Sequence, residues 1–455
     1  MTPSGPVSAS GEYQQGHREQ GAGGIGAGAG PEVLGPWVVP RNVRVKNSEL
    51  AAGRQELLAI ARELFFPGGA DTETGHSPGE AMPLLLPPPG GEQAELAFEK
   101  LFPVDTVYHC RDENGQFKVL GVGRVLAVGS SGVVCLAADI TDLTRARKYA
   151  AKFYYSLLVL DSESDIKYGN SVIIQTERRA RSSREKLLSK VSSEQELLQH
   201  GVAVPRGFYT LDWSRRPPPR QMNTPLITSV RKGGGSFTTS YVLFGSHVMV
   251  MPLLGPDLFH IFQRDRTDNV LKYTFVMLVR RVAYLNSLGL VHRDIKPSNI
   301  AVSPETGELF LADLEFVGDM GAESRCQDYL SRRYVAPERA KCIVEGTAKY
   351  LVDEWVDSWA LGVSLYFILC GSDLPFGHFE VSTAEDLLER YQENFKILLQ
   401  SLNRETFMGD RCPRMKESHV ALMDIVRLLL DPHKPTRWTA RRLVQEHPFF
   451  QVAQD

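Results

Sequence analysis

The stretch Val291-His292-Arg293-Asp294-Ile295-Lys296-Pro297-Ser298-Asn299 decides how the rest of the chain is read. It sets five chemistry-bearing residue types (His, Arg, Asp, Lys, Asn) in eight positions. Random usage would produce that string in on the order of one chain in several thousand. Asp313-Leu314-Glu315 begins 19 residues after Asp294, and Ala336-Pro337-Glu338 follows it. Upstream stand Gly129-Ser130-Ser131-Gly132 and Tyr149-Ala150-Ala151-Lys152; downstream stand Asp357-Ser358-Trp359-Ala360-Leu361-Gly362 and Asp431-Pro432-His433-Lys434-Pro435-Thr436-Arg437. Taken singly, each has a plain reading. Gly129-x-x-Gly132 is a turn, Lys152 a solvated strand-end charge, and His292 and Asp357 hydrogen-bonded core residues.

The setting of these motifs is an ordinary globular chain. Of 455 residues, 43% are apolar and 23% charged, which excludes a wholly disordered or fibrous protein. The net charge of −3 implies no global attraction to nucleic acid or anionic membrane. The basic run Arg178-Arg179-Ala180-Arg181, continuing to Arg184 and Lys186, is interleaved with Glu177 and Glu185 and lacks an aromatic platform. It reads as a solvated helix face and not as a nucleic-acid site. Six scattered cysteines without a C-x-x-C pair read as buried thiols, with neither structural zinc nor a dense disulfide framework. No apolar run reaches the roughly 18–20 residues of a membrane span. Met1-Thr2-Pro3-Ser4-Gly5-Pro6 lacks the basic flank and apolar stretch of a secretory signal.

Glycine and proline crowd the first forty positions, so residues 1–40 are expected to be a disordered Gly/Ala-rich leader. Residues 41–110 form an N-terminal extension. In it, Leu50, Leu57, Ala61, Leu64 and Phe65 predict an amphipathic helix over Ser48–Phe66 that docks on a neighbouring domain. Short β-rich runs follow at Val119–Val128, Val133–Ala137, Tyr149–Tyr154, Val204–Tyr209 and Tyr241–Met251, with an inserted loop over 212–240. Glu185–Gln199 reads as a helix, and from residue 257 helical periodicity dominates. The organisation is α+β and bilobal, with a small β-rich lobe over 111–252 and a larger helical lobe over 253–455.

The motifs jointly resemble those of the eukaryotic protein kinases over about residues 115–450. The resemblance implies ATP and Mg2+ as cofactors and assigns roles position by position. Asp294 orients or accepts the proton of the substrate hydroxyl, and Lys296 neutralises charge on the moving phosphoryl group. Asn299 and Asp313 are the magnesium ligands. Lys152 contacts the phosphates and is held by a carboxylate on the following helix, either Glu194 or its competitor Glu196. Gly129, Gly132 and Val134, with Ala127 where a glycine usually stands, cover the nucleotide. Met251 is the gatekeeper, Pro252 and Leu254 offer hinge groups to adenine, and Asp257 contacts the ribose. Glu338 and Arg437 are expected to form a buried scaffold pair.

Departures narrow this reading. Glu315 stands where the family has glycine, so a flipped inactive arrangement is expected to be less accessible. The segment Asp313–Glu338 has no threonine; Ser331 stands where the family has a structural hydroxyl. Ser324 phosphorylation, or the charges of Glu323 and Asp328, would answer Arg293. The string Met251-Pro252-Leu253-Leu254-Gly255-Pro256-Asp257-Leu258, the segment from Trp359 to Gly377, and the extension are similar to rhoptry kinases of apicomplexan parasites. That resemblance implies an active, monomeric serine/threonine kinase secreted from the rhoptry into the host cell, with host proteins as substrates; a cytoplasmic location is the alternative. The rival readings are a nucleotide-binding pseudokinase scaffold and, against Ala336-Pro337-Glu338, a small-molecule kinase.

Overall fold

The computed structural model describes residues 44–66, 106–129, 131–141, 147–158, 163–212, 227–231, 235–326, 331–371, 412, 414 and 416–451. The expected leader over 1–40, the Pro87-Pro88-Pro89-Gly90-Gly91 loop and residues 372–377 lie outside them, as does Ser130. In chain order, a helix α1 (Asn47–Phe65) precedes strands β1 (Thr106–Arg111), β2 (Phe117–Val128), β3 (Gly132–Asp139) and β4 (Arg147–Leu158). Helices α2 (Glu163–Ser189) and α3 (Glu194–Gln199) come next, then strands β5 (Gly207–Leu211), β6 (Ile227–Arg231) and β7 (Gly235–Met251).

These strands make one antiparallel sheet in the order β4-β3-β2-β1-β5-β7-β6, and β4 also pairs with β7 so that the sheet returns on itself. Alternation of β-branched and aromatic residues with polar ones gives β1, β2 and β3 one buried face each. Tyr108, Leu120, Val122, Val133, Cys135, Phe153 and Val248 form the inner cluster. The sheet starts at Thr106, a few residues ahead of the expected boundary at 111. Part of the expected 212–240 insertion is strand: β6 pairs with β7.

The larger correction lies between β4 and β5. The sequence reading placed one helix over Glu185–Gln199. The structure instead has the 27-residue α2 and, after a break at Lys190–Ser193, the six-residue α3, N-capped by Ser193. Ile173, Ala180 and Leu187 recur at intervals of seven residues on the buried side of α2. Ile173 and Ala180 join Tyr154, Phe208 and Met249 in a cluster that seats this helix on the sheet. The long run after Lys152 is therefore mostly helix.

The second lobe contains α4 (Leu258–Ile261), α5 (Asp268–Ser287), β8 (Leu290–Val291), β9 (Ile300–Val302), β10 (Leu309–Leu311), β11 (Gly318–Asp319) and β12 (Glu323–Arg325). It continues with α6 (Pro337–Val344), β13 (Lys349–Leu351), α7 (Glu354–Cys370), α8 (Val420–Leu429) and α9 (Ala440–Glu446). α7 is buried almost all round, with Trp359, Leu361, Val363 and Leu365 at 0% exposure, so it is the central post of this lobe. Arg437 packs beside it, fully buried, and donates from its two terminal nitrogens to Glu338 Oε1 and Oε2 at 2.9 and 3.0 Å. Four of the six cysteines are paired, Cys326 with Cys342 and Cys370 with Cys412. This departs from the expectation of thiols, because pairing depends on through-space approach that spacing along the chain does not reveal. Cys110 and Cys135 remain buried thiols in the sheet.

Helix α1 docks on α5. Gly53, Leu57, Ala61 and Phe65 are its buried positions, and Leu57 and Ala61 enter the core of the second lobe. Arg54 and Arg62 donate to the carbonyls of Thr306 and Pro304 at 2.8 and 3.0 Å, and Lys272 of α5 reaches Glu49 at 2.7 Å. At its far end, Arg124 of β2 donates to the Phe65 carbonyl at 3.0 Å, so the helix touches both lobes.

Two outcomes follow. A Cβ on Gly53 would stand 2.2 Å from the Asn269 carbonyl oxygen. Gly53→Ala should therefore destabilise the protein by about 1–3 kcal/mol through overpacking, read from the denaturant midpoint. On an undocked helix the same change would stabilise, by up to about 1 kcal/mol. Glu338→Ala leaves the Arg437 cation buried without its partner and should cost about 3–5 kcal/mol in the same measurement.

Candidate active site

The decisive stretch forms the loop between β8 and β9. His292 and Arg293 present their backbone amides to the Asp357 carboxylate at 2.7 and 2.8 Å, and Asn286 Nδ2 joins them at 3.1 Å. Asp357 is fully buried; burial pushes its carboxyl up, against the pull of His292 and these amide hydrogen bonds. Arg293 adopts φ 72°, a conformation that a side chain other than glycine tolerates only when its surroundings fix it. The His292 ring contacts the Ala312 carbonyl through Nε2 at 3.1 Å.

Asp294 is buried at 6% exposure and is the hub of a polar cluster. Lys296 Nζ and Asn299 Nδ2 each donate to Asp294 Oδ2 at 2.8 Å, and the Ser331 hydroxyl donates to Oδ1 at 2.5 Å. Lys296 Nζ also reaches Ser331 Oγ at 2.9 Å. With its amide nitrogen turned to Asp294, Asn299 keeps its oxygen as an acceptor.

Asp313 opens the segment after β10 at φ 53° and leads into the 3-10 turn Leu314–Phe316. Lys152 sits mid-strand on β4, between Val134 of β3 and Met249 of β7. Gly132 makes room for it: a Cβ there would meet the Lys152 side chain at 2.7 Å. Lys152 Nζ lies 2.5 Å from Glu315 Oε1 and 3.4 Å from Asp313 Oδ1. Burial opposes the Lys152 charge, yet Asp313 and Glu315 outweigh it and hold its pKa above the ordinary lysine value. Burial likewise tends to raise Asp313, but Lys152 and Lys296 outweigh that and keep it below the usual carboxylate value.

The structure does not bring Glu194 to Lys152. Glu194 lies in the first turn of α3, and Glu196 of the same helix is engaged with Ser192 and Tyr284. The helix that follows the Lys152 strand is α2, which sequence periodicity did not mark out. Its buried carboxylate, Glu177, contacts His247 Nδ1 at 2.8 Å. Asp257 is also placed differently from a ribose contact: it caps α4 through the His260 amide at 2.9 Å and holds the His260 ring at 2.7 Å.

Gly129 and Gly132 close the β2–β3 turn by a 2.9 Å backbone bond, with exposed Ala127 opposite Val134. Met251 ends β7 opposite Ala150 and lines a cleft with Met249, Asp313, Leu314 and Glu315. Among the described residues no backbone hydrogen bond uses the Pro252 carbonyl or the Leu254 amide. Arg293 reaches the Ser324 hydroxyl at 2.6 Å, while Glu323 pairs with Lys349 at 2.8 Å; Asp328 lies outside the described residues.

Comparison with known proteins agrees with this geometry. Residues 236–450 match the family model of the protein kinase domain. Ribosomal protein S6 kinase alpha-1 of Rattus norvegicus is 32% identical over 193 residues, 41% of this chain and 23% of the relative. The phosphorylase b kinase gamma catalytic chain (liver/testis isoform) of Mus musculus is 29% identical over 175 residues, 38% of each chain. The chain thus spans well under half the length of these curated relatives. Among solved structures, the ROP18 kinase domain in complex with AMP-PNP and sucrose superposes with a TM-score of 0.56 at 18% identity, covering 90% of this chain and 94% of that one. ROP2 from Toxoplasma gondii, described as having a protein-kinase fold and no enzymatic activity, gives 0.58 at 16% identity, covering 89% and 96%. Residues 236–450 are thus similar to protein kinase domains, and the chain has a bilobal protein-kinase fold like that of ROP18 and ROP2.

Proposed function

We propose that this chain is an active, ATP- and magnesium-dependent serine/threonine protein kinase. One observation carries the reading: Asp294, Lys296, Asn299 and Ser331 form one hydrogen-bonded cluster, and Lys152 lies against Asp313 across the cleft. Asn299 and an Asp313 held ionised by neighbouring lysines offer hard oxygen donors, a set that fits magnesium, which completes its shell with water and phosphate oxygens. Bound there, the ion would neutralise charge on the transferring phosphates.

The protein groups have separate tasks. Asp294 Oδ1, now bonded to Ser331, accepts the proton of an incoming substrate hydroxyl. Lys296, within 2.8 Å of Asp294, compensates the charge that develops beside it. Lys152 contacts the nucleotide phosphates, and the backbone of Gly129–Gly132 closes over them. Met251 with the Pro252 carbonyl and Leu254 amide forms the adenine edge; Asp257, committed to its cap, contributes to the shape of that edge.

Likeness to rhoptry kinases supports a secreted enzyme acting on host proteins. The two disulfides among the described residues suit an oxidising compartment. No described helix is long and apolar enough to cross a membrane. Glu315 at the glycine position, and a structural neighbour described as inactive, favour the rival reading of a nucleotide-binding scaffold.

Labelled ATP with a generic protein substrate separates the two. Asp294→Ala should lower kcat by roughly 10²–10⁴-fold while nucleotide affinity stays near that of the parent. Phosphoamino-acid analysis of the product should show phosphoserine and phosphothreonine. Equal label transfer by parent and variant would rule out the enzyme reading.

A further inference from the structure

A buried ammonium needs a counter-charge held in fixed geometry, because removing the partner leaves the cation stranded away from water. In this protein the counter-charge of Lys152 does not come from a helix. Glu315 is 4% exposed and approaches Lys152 Nζ at 2.5 Å. The Tyr154 hydroxyl, from two residues further along β4, donates to Met249 Sδ at 3.3 Å. Among the described non-glycine residues, positive φ occurs at Arg293 and Asp313 and not at Glu315, so glutamate sits in its 3-10 turn without backbone strain.

Helix α2 lies beside this pair but, among the described side chains, supplies a hydroxyl to the turn and no carboxylate to Lys152. Ser183 Oγ contacts the carbonyls of Glu315 and Val317 at 3.0 and 3.3 Å, which ties the turn to the helix. Glu177 turns its Oε2 to His247, and its Oε1 is buried without a hydrogen-bond partner. A Cβ at Gly245 would lie 2.6 Å from that Oε1, so glycine there makes room for the carboxylate at the sheet.

We propose that Glu315 is the positioning residue for Lys152, fulfilling from the metal-binding turn the task that a helix carboxylate was expected to perform. Lys152 has three N–H donors; Glu315 and Asp313 take two, which leaves the third for a phosphate oxygen. The lysine and the Asp313 ligand are then set by one short segment, Asp313–Glu315. Orientation of Lys152 follows the state of that turn, and the carboxylate of α2 has no part in it. The proposal rests on the kinase reading for turnover, but its effect on nucleotide binding stands without it.

The test uses the full chain with Glu315→Gln, Glu177→Gln and Lys152→Ala. Each variant is measured for MgATP affinity by a fluorescent nucleotide analogue, for kcat and KM, and for its melting temperature without nucleotide. A misplaced lysine should cost Glu315→Gln on the order of 10²-fold in kcat/KM, together with weakened MgATP binding that approaches that of Lys152→Ala. Glu177→Gln should keep the parent's affinity and turnover. Glu315→Asp should restore part of what Glu315→Gln loses, because charge and not side-chain length is the main requirement. A Glu315→Gln protein with parental affinity and kcat/KM overturns the proposal. So does a Glu177→Gln protein as impaired as Lys152→Ala, a result that stands even if Glu315→Gln fails to fold. If the parent transfers no more label than Asp294→Ala, the enzyme reading fails while the affinities still decide the role of Glu315. A parent that binds no nucleotide removes both.

Discussion

Asp357 is the carboxylate on which the site depends. Between β8 and the Pro297–Asn299 turn the chain leaves regular structure, and Arg293 lies at φ 72°. No helix or sheet ladder takes the amides of His292 and Arg293; Asp357 accepts both, from the helix buried deepest in the larger lobe. A carboxylate is costly to bury. Here the two amides and the Asn286 side chain bond it, and His292 lies against it. The loop conformation that exposes Asp294 to Lys296, Asn299 and Ser331 is thereby fixed to the helix core.

A second set of charges links the lobes. Lys152 belongs to the sheet and Asp313 and Glu315 to the helical lobe's turn, so their contact spans the cleft. Helix α1 spans it on another side, with Leu57 and Ala61 in the larger lobe's core and Phe65 bonded to Arg124 of β2. The two connections differ in kind. One is apolar burial, the other a set of charges.

Motifs whose members lie close along the chain were legible before the fold was known. His292 to Asn299 act within one loop, whereas the pairing of Glu338 with Arg437, 99 residues apart, was legible only through the family resemblance. The carboxylate holding Lys152 was not legible, because Glu315 is 163 residues away and stands where a glycine was expected. Helix α2 was missed for a different reason. Its mean composition is polar, rich in Arg, Ser and Glu, and a narrow buried stripe through Ile173, Ala180 and Leu187 gives weak periodicity. Asp257, read from its chemistry next to the hinge as a ribose contact, also has a local structural task that the motif did not reveal: it caps a helix start.

The activation segment shows how these anchors combine. Its beginning is held by Glu315 on Lys152 and by Ser183 on the Glu315 and Val317 carbonyls. Its middle is held by Arg293 on Ser324 and by the pairing of β12 with β13. Cys326 is bonded to Cys342 of α6, and Arg339 donates to the Cys326 carbonyl at 3.1 Å. Ser331 then returns the chain to Asp294 and Lys296. Glu323 does not provide a standing negative charge for Arg293, since it is paired with Lys349. The arginine instead bonds an unmodified hydroxyl, and a phosphate on Ser324 would strengthen a contact already made. The described residues of this segment are therefore held by several weak ties and one covalent one.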